Sequence, residues 1–185
     1  MKRICIICAR KGSSGVPKKN IFKINGKPLI AHSIIQAKTA GIFDEIAVSS
    51  DSDEILEIAK AWGATVTIKR PKELSMSISA KLPAIQHCVH KVEYIKNTNY
   101  STIVDLDVTS PLRNVDDIIN SVEMLEKSNS PNLITGCSSR RSPYFNLVEK
   151  NKSGFVQLSK KTSKKIVCRQ DSPLCFDMNA SIYIW

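Results

Sequence analysis

One stretch near the N-terminus decides the fold: the apolar run Ile4-Cys5-Ile6-Ile7-Cys8, followed by Ala9-Arg10-Lys11-Gly12-Ser13-Ser14-Gly15-Val16-Pro17-Lys18-Lys19-Asn20. The apolar run predicts a buried strand, and the residues after it predict a cationic glycine loop. Gly12 and Gly15 permit backbone dihedrals that are closed to other residues, and they allow main-chain N–H groups to approach an anion. Arg10, Lys18 and Lys19 add positive charge. The stretch therefore predicts a phosphate-handling site.

The loop matches neither of two better-known phosphate loops. A P-loop needs Gly, four residues and then Gly-Lys with Ser or Thr, and the residues after Gly12 do not supply that ending. The dinucleotide fingerprint Gly-x-Gly-x-x-Gly also fails, because Gly12 and Gly15 are three positions apart. A basic loop without a ligand stays open as the alternative on these residues alone.

The rest of the chain alternates between strand and helix patterns. Strands are predicted over 45–50, 65–68, 101–106, 133–137 and 178–185, and helices over about 29–37, 52–63, 80–96 and 114–127. This order predicts an α/β fold, a mostly parallel twisted sheet with helices on both faces. A chain of 185 residues suits a single domain, 1–185.

Residues 138–170 depart from this rhythm. Two short strand patterns, over 144–149 and 154–158, flank an Asn-Lys-Ser-Gly turn and predict a β-hairpin arm. Because the apolar residues of such an arm would be exposed on a monomer, a second subunit is expected to cover them. The arm therefore predicts a homodimer.

Positive charge is concentrated in two parts of the chain. The formal net charge is +10, and 16 of the 27 Lys and Arg residues lie in residues 1–43 and 150–169, where no acid occurs. Such a field suits an anionic partner, whether a nucleotide, an acidic sugar or a nucleic acid. A nucleic-acid-binding module would interleave aromatic residues with these cations, and only Phe22 and Phe43 lie in the first part. That module is therefore ranked below a small anionic ligand.

The six cysteines and three histidines do not predict a metal site. Cys5 and Cys8 are three apart on a strand and so point to opposite faces, and His87 and His90 share a helix face with no third ligand nearby. Scattered cysteines in apolar stretches are typical of reduced intracellular proteins. With no apolar run near the roughly 20 residues that span a bilayer, and no long apolar segment of a secretory signal, a cytoplasmic location is expected.

The position of the chemistry follows from the predicted sheet. In an open α/β sheet, ligands bind beyond the carboxyl ends of the strands, where strand order reverses. The first strand ends at the glycine loop, and the fourth ends at Asp107. If these strands are neighbours, residues 10–20 face residues 107–113 across one crevice.

Several motifs occur in a fixed order along the whole chain. They are Ala9-Arg10-x-Gly12-Ser13-x-Gly15 through Lys19-Asn20, Ser49-x-Asp51, Thr109-Ser110-Pro111-Leu112-Arg113, Arg169-Gln170 and Asn179-Ala180-Ser181-Ile182-Tyr183-Ile184. In this order they resemble the motifs of acylneuraminate cytidylyltransferases, the CMP-sialic acid synthetases. Asp107 before Val-Thr-Ser-Pro-Leu-Arg, together with Pro143-Tyr144-Phe145-Asn146-Leu147-Val148-Glu149 and Asp177-Met178-Asn179, looks most like the branch that activates legionaminic acid.

The resemblance implies a Rossmann-like nucleotidyltransferase. Such an enzyme transfers CMP from CTP to a nine-carbon 2-keto sugar acid, releases pyrophosphate and uses Mg²⁺. Catalytic roles are implied for Arg10, Lys19 and Asp107, and Asp107 is also the implied metal ligand. The implied nucleotide-binding residues are Ala9, Arg10, Gly12, Ser13, Gly15, Lys19, Asn20, Arg70, Ser79 and Lys81. The implied substrate-binding residues are Asp107, Thr109, Ser110, Arg113, Asn146, Arg169, Gln170, Asn179 and Tyr183.

The chain also departs from the family pattern. Ser14 stands where the family usually has Lys, and Met76-Ser77 stands where the family carries Ser-Asp. Related enzymes continue past the Asn-x-x-Ile-Tyr strand into an Asp-rich segment that holds Mg²⁺, so the C-terminal part of the family domain and further metal ligands are expected beyond residue 185.

Three alternatives to this function stay open. One is a CMP-activating enzyme for another acid sugar, such as pseudaminate or 3-deoxy-octulosonate. The second is a truncated nucleotide-binding relative with little turnover. The third and remote one is the basic nucleic-acid-binding module.

Overall fold

The computed structural model describes residues 1–12, 15–76, 78–163 and 166–185. The strands in these ranges are β1 (Arg3–Cys8), β2 (Lys23–Ile24), β3 (Lys27–Pro28), β4 (Glu45–Ser50), β5 (Val66–Lys69), β6 (Thr102–Leu106), β7 (Leu133–Ser138), β8 (Val148–Lys150), β9 (Val156–Leu158) and β10 (Phe176–Ile184). The helices are α1 (Leu29–Ala40), α2 (Asp53–Trp62), α3 (Lys81–Lys96) and α4 (Val115–Lys127). None of these helices combines the length and the apolar character that a bilayer crossing needs.

Two compact units make up the chain. The first comprises Met1–Ile134 with Ala180–Trp185, and the second comprises Thr135–Asn179. The sequence had predicted one domain with an excursion over 138–170, so the second unit begins three residues earlier and ends nine residues later than that excursion. Each unit is described by itself.

The first unit is built on an α/β sheet with the strand order β5-β4-β1-β6-β10. Strand β1 is parallel to both β4 and β6, and β4 is parallel to β5. The C-terminal half of β10 runs antiparallel to β6, with Ile182 opposite Leu106 and Ile184 opposite Val104. The predicted α/β fold with a mostly parallel sheet is confirmed.

Both faces of β1 are buried, which explains its unbroken apolar sequence. Cys5 and Ile7 belong to a core on one face, and Ile4 and Ile6 belong to a core on the other. Burying a Val, Leu, Ile or Phe side chain stabilises a fold by about 1.5–3 kcal/mol. Cys8 packs against the core that contains Ile4, so Cys5 and Cys8 lie on opposite faces of the strand as expected.

Helix ends in the first unit follow sequence signals. Helix α1 ends at Gly41 and α2 ends at Gly63, with φ values of 65° and 104° that favour glycine. Helix α4 begins with a capping box between Asn114 and Asp117. These local signals set the lengths of the loops that leave the sheet.

The second unit contains the predicted hairpin in a shorter form. Strands β8 and β9 pair antiparallel, with Val148 opposite Leu158. Residues 144–147, which were predicted to start the first strand, instead form a turn, so that prediction is wrong. The Ser142 carbonyl accepts hydrogen bonds from the N–H groups of residues 145, 146 and 147, and the Asn146 side chain accepts one from the Ser142 N–H at 2.8 Å. This local bonding competes with strand pairing.

Candidate active site

The glycine loop after β1 is anchored on both sides. The side-chain amide of Asn20, which is buried, donates a hydrogen bond to the Arg10 carbonyl at 2.8 Å. The Lys11 N–H donates to Asp51 Oδ1 at 2.7 Å, which ties the loop to the end of β4. The start of the loop is therefore held in place by Asn20, at the other end of the same loop, and by Asp51, which follows β4.

The glycines of the loop leave open space beside the backbone. Among the described residues of the loop, Lys18 has a positive φ of 52°, whereas Gly12 does not. A Cβ atom built on either glycine has no described atom within 4 Å. This open space beside the loop suits the close approach of a ligand.

A cleft of about 350 Å³ opens in the first unit beside the glycine loop. It brings together ten of the predicted site residues: Arg10, Gly12, Gly15, Lys19, Asn20, Arg70, Ser79, Lys81, Asp107 and Thr109. The pairing of β1 with β6 is what makes the glycine loop and the Asp107 loop neighbours, as expected for a switch in strand order. Four cationic side chains and one carboxylate among these residues make the wall formally positive.

Arg70 is fixed in the wall of the cleft by the end of β4. Its Nε donates to Ser49 Oγ at 3.1 Å, and its Nη2 donates to the Ser49 carbonyl at 2.8 Å. Its side chain is buried, so this charge is held in place before any ligand arrives. Arg10 also reaches across the cleft, where its Nη1 donates to the Met76 carbonyl at 3.0 Å.

Lys81 joins two carboxylates at the end of β6. Its ammonium lies 2.6 Å from Asp105 Oδ2 and 2.9 Å from Asp107 Oδ2. The other oxygen of Asp107 accepts hydrogen bonds from the N–H and the hydroxyl of Thr109, at 2.8 and 2.6 Å. The Lys81 ammonium also lies 5.8 Å from the centre of the Tyr183 ring.

Burial and charge act in opposite directions on this cluster. Burial raises the pKa of Asp105, and Lys81 opposes that rise. Burial would also raise the pKa of Asp107, but Lys81 and the Thr109 hydrogen bonds outweigh it, so the Asp107 pKa is lowered. Burial works against the charge of Lys81, yet the two carboxylates raise its pKa. Lys81 and Asp107 are therefore charged at neutral pH.

Asp105 is a site residue that the sequence analysis missed. It is fully buried, and its Oδ1 has no hydrogen-bond partner among the described residues. Residues two apart on a strand share a face, so the Asp105-x-Asp107 spacing at the end of a predicted strand could have indicated the pair. Its partner Lys81 could not have been assigned to it from spacing.

Arg113 lies in a buried network and not in the cleft wall. Its guanidinium donates to Gln36 Oε1 at 2.9 Å, to Ser33 Oγ at 2.8 Å and to the Ser181 carbonyl at 2.5 Å. It also donates to the Asp107 carbonyl. Arg113 is therefore bonded to α1 and β10, and through these bonds it holds the loop that follows β6.

The remaining predicted residues fall into three groups. Ala9, Ser110 and Tyr183 belong to the first unit but not to the described wall of the cleft. Asn146, Arg169, Gln170 and Asn179 belong to the second unit. Ser13 lies outside the described residues.

Comparison with known proteins identifies relatives over nearly the whole chain. A profile of the family described as cytidylyltransferase matches residues 4–183. The chain is 43% identical over 182 residues to the post-translational flagellin modification protein B of Campylobacter coli, covering 98% of this chain and 76% of that protein. It is 44% identical over 182 residues, with the same coverage, to the CMP-N,N'-diacetyllegionaminic acid synthase of Campylobacter jejuni subsp. jejuni. A solved structure of CMP:2-keto-3-deoxy-manno-octonic acid synthetase complexed with CTP has the same fold, with a TM-score of 0.68 and 18% identity over 100% of this chain and 74% of that one.

Proposed function

The chain belongs to the cytidylyltransferase family, and on that premise we propose that it transfers CMP from CTP to a nine-carbon 2-keto sugar acid of the legionaminic or sialic acid type, with release of pyrophosphate. The observation that carries the proposal is the cationic cleft at the switch in strand order, where the glycine loop faces Asp107. Similarity over nearly the whole chain to the CMP-N,N'-diacetyllegionaminic acid synthase of Campylobacter jejuni supports the acid-sugar substrate.

The phosphate end of the reaction is assigned to the glycine loop. A sugar hydroxyl must attack the α-phosphorus in line while negative charge builds on the departing pyrophosphate, so positioning and electrostatic stabilisation carry most of the catalysis. We assign that stabilisation to Arg10 and Lys19, whose side chains line the cleft. The open space at Gly12 and Gly15 allows phosphate oxygens to approach the loop backbone.

The nucleotide and the sugar acid are assigned to different parts of the wall. Asn20, Arg70, Ser79 and Lys81, with Ala9 and the loop backbone, are proposed to place the nucleotide. Asp107, Thr109 and Ser110 are proposed to face the sugar. Contacts from Asn146, Arg169, Gln170, Asn179 and Tyr183 to the sugar stay predictions, as does a substrate contact from Arg113.

A divalent cation is proposed as the cofactor, and Mg²⁺ is the ion expected. Cytidylyltransferases of this fold generally use a divalent metal. The residues present fit such an ion, because Mg²⁺ is commonly bound by one or two carboxylates together with substrate phosphates, and Asp107 lies in the same cleft as the cationic phosphate wall. When bound, the ion would neutralise charge on the triphosphate.

A homodimer formed through the second unit is also proposed. The hairpin exposes apolar side chains, with Phe155 73% and Val156 69% accessible. An exposed apolar surface of this kind commonly marks a protein interface. A Phe155→Ser variant should therefore shift the mass measured by light scattering from dimer to monomer, whereas Tyr94→Ser, at a still more exposed position on α3, should leave the mass unchanged. A wild-type chain that is monomeric at all concentrations would refute this proposal.

Because its proposed substrate CTP is a cytoplasmic nucleotide, the cytoplasm is the proposed location.

One assay tests the reaction and separates the alternatives. Pyrophosphate release is measured with CTP, Mg²⁺ and, in turn, legionaminic, N-acetylneuraminic, pseudaminic and 3-deoxy-octulosonic acids. Release with the first or second acid supports the proposal, and release with only the third or fourth replaces it by the neighbouring specificity. CTP binding without release for any acid would indicate a nucleotide-binding relative with little turnover. Retention on a polynucleotide column with no thermal shift from CTP would favour the nucleic-acid-binding module.

A further inference from the structure

Two carboxylates at the carboxyl end of β6 share a single cation. Asp105 and Asp107 are two residues apart on one face of the chain, and the Oδ2 atoms of both point at the Lys81 ammonium, 2.6 and 2.9 Å away. Lys81 and Asp107 line the cleft that holds the cationic phosphate side, and Asp105 is fully buried next to Lys81. A pair of carboxylates converging on one point is the donor arrangement that oxygen-seeking divalent cations use.

The charge of this cluster is not balanced. Two acidic side chains face one ammonium, and Asp105 is fully buried with an Oδ1 atom that has no hydrogen-bond partner among the described residues. An unpartnered carboxylate oxygen away from water is costly, and buried charges are normally paired or bound to a metal. The cluster therefore has capacity for more positive charge than Lys81 supplies.

The Lys81 side chain is positioned so that its ammonium can move away from the two acids. It is the first residue of α3, its side chain is 36% exposed, and it lines the cleft beside Arg10 and Lys19. The Asp107 carboxylate does not depend on Lys81 alone, because Thr109 holds its other oxygen with two hydrogen bonds. Removing the ammonium would leave Asp107 held by Thr109.

We propose that Lys81 is an internal counter-ion for a divalent-cation site formed by Asp105 and Asp107, and that the incoming cation displaces the Lys81 ammonium into the cleft. The inference rests on the proposed function only for the identity of the nucleotide whose phosphates the released ammonium then meets. The cation alone must break two ion pairs to enter. A cation that arrives with a polyphosphate offers Lys81 new partners, so cation and nucleotide binding are coupled.

The primary test measures Mn²⁺ binding without nucleotide, by electron paramagnetic resonance of the free ion. Lys81→Met removes the competing charge and retains the length of the side chain, so this variant should bind Mn²⁺ at least about tenfold more tightly than wild type. The matched control is Lys91→Met, which removes a charge from an exposed position of the same helix and should leave Mn²⁺ affinity near that of wild type. The double variant Lys81→Met with Asp105→Asn should lose the gain. A folded Lys81→Met variant that binds Mn²⁺ no better than wild type, or a double variant that keeps the gain, would overturn the proposal.

A second measurement uses the wild-type protein and decides the matter if Lys81→Met does not fold. Amine acetylation is followed residue by residue with mass spectrometry while Mn²⁺ is added up to millimolar concentrations. Displacement predicts that labelling of Lys81 rises several-fold relative to Lys91, because the ammonium leaves its two acids. Unchanged Lys81 labelling over the whole titration would refute displacement. Neither measurement uses CTP turnover, so failure of the proposed reaction and failure of this inference are distinguished by the separate pyrophosphate assay.

Discussion

Replacing Arg113 by lysine tests whether this residue holds the Asp107 loop or contacts a substrate. The guanidinium of Arg113 donates to four acceptors in a buried setting: Gln36 Oε1, Ser33 Oγ and the carbonyls of Ser181 and Asp107. A lysine ammonium keeps the charge but lacks the planar fork that reaches acceptors on both sides. At least two of the four acceptors would then lose their hydrogen bond to Arg113.

The size of the effect follows from the lost bonds. A hydrogen bond to a charged group contributes about 1.5–3 kcal/mol, so the loss of two such bonds predicts a loss of about 3 kcal/mol or more in the free energy of unfolding for Arg113→Lys. With a urea slope of about 2 kcal/mol per M, the unfolding midpoint should fall by about 1.5 M. Fluorescence of Trp62 and Trp185 is a suitable signal, because both tryptophans lie in the first unit.

The control is Arg140→Lys in the second unit, a surface substitution of the same chemistry that should change stability by no more than about 0.5 kcal/mol. CTP-dependent pyrophosphate release by Arg113→Lys should fall together with stability, because the Asp107 loop loses an anchor. If unfolding is unchanged while KM for the sugar acid rises, Arg113 contacts the substrate and the structural role assigned to it is wrong.

Three further substitutions give separate tests. Glu126→Gln should destabilise the fold by about 1–2 kcal/mol above pH 5, because the carboxylate accepts two hydrogen bonds from Arg3 at 2.8 and 2.7 Å and its pKa is lowered by them. Since the wild-type carboxylate loses its charge as pH falls through that lowered pKa, denaturation at several pH values should show the gap closing below about pH 4, and a constant gap would count against the ion pair. Gly136→Ala would place a Cβ atom 2.9 Å from the Asp177 carbonyl oxygen, and overpacking of this kind costs about 1–3 kcal/mol. Limited proteolysis within residues 135–179 should therefore accelerate, and unchanged cleavage would contradict this. Asn20→Ala should lower stability without nucleotide by about 1–2 kcal/mol, since a buried amide bond to the loop backbone is lost; loss of CTP affinity alone would show that Asn20 acts only on the ligand.

Local sequence determined most of the architecture. The unbroken apolar run at residues 4–8 became a strand buried on both faces, and α1 and α2 end at the glycines that signalled their ends. Such signals depend on residues a few positions apart, which is why they can be read without a structure. The strand prediction at residues 144–147 was wrong for an equally local reason. The Ser142 carbonyl accepts hydrogen bonds from three N–H groups of this segment, which are then not available for strand pairing.

The sequence by itself also placed the two loops of the candidate site, since the ends of neighbouring parallel strands must meet at one edge of a sheet. It did not determine what each charged side chain does there. Arg113 was predicted to meet a substrate and lies in a network with Ser33 and Gln36, whereas Lys81 was predicted to meet the nucleotide and is paired with Asp105 and Asp107. These partners are 24 to 80 positions away along the chain. Periodicity carries no information over such separations, so only the tertiary arrangement, with α1 and α3 on opposite faces of the sheet, decided which charge lies next to which.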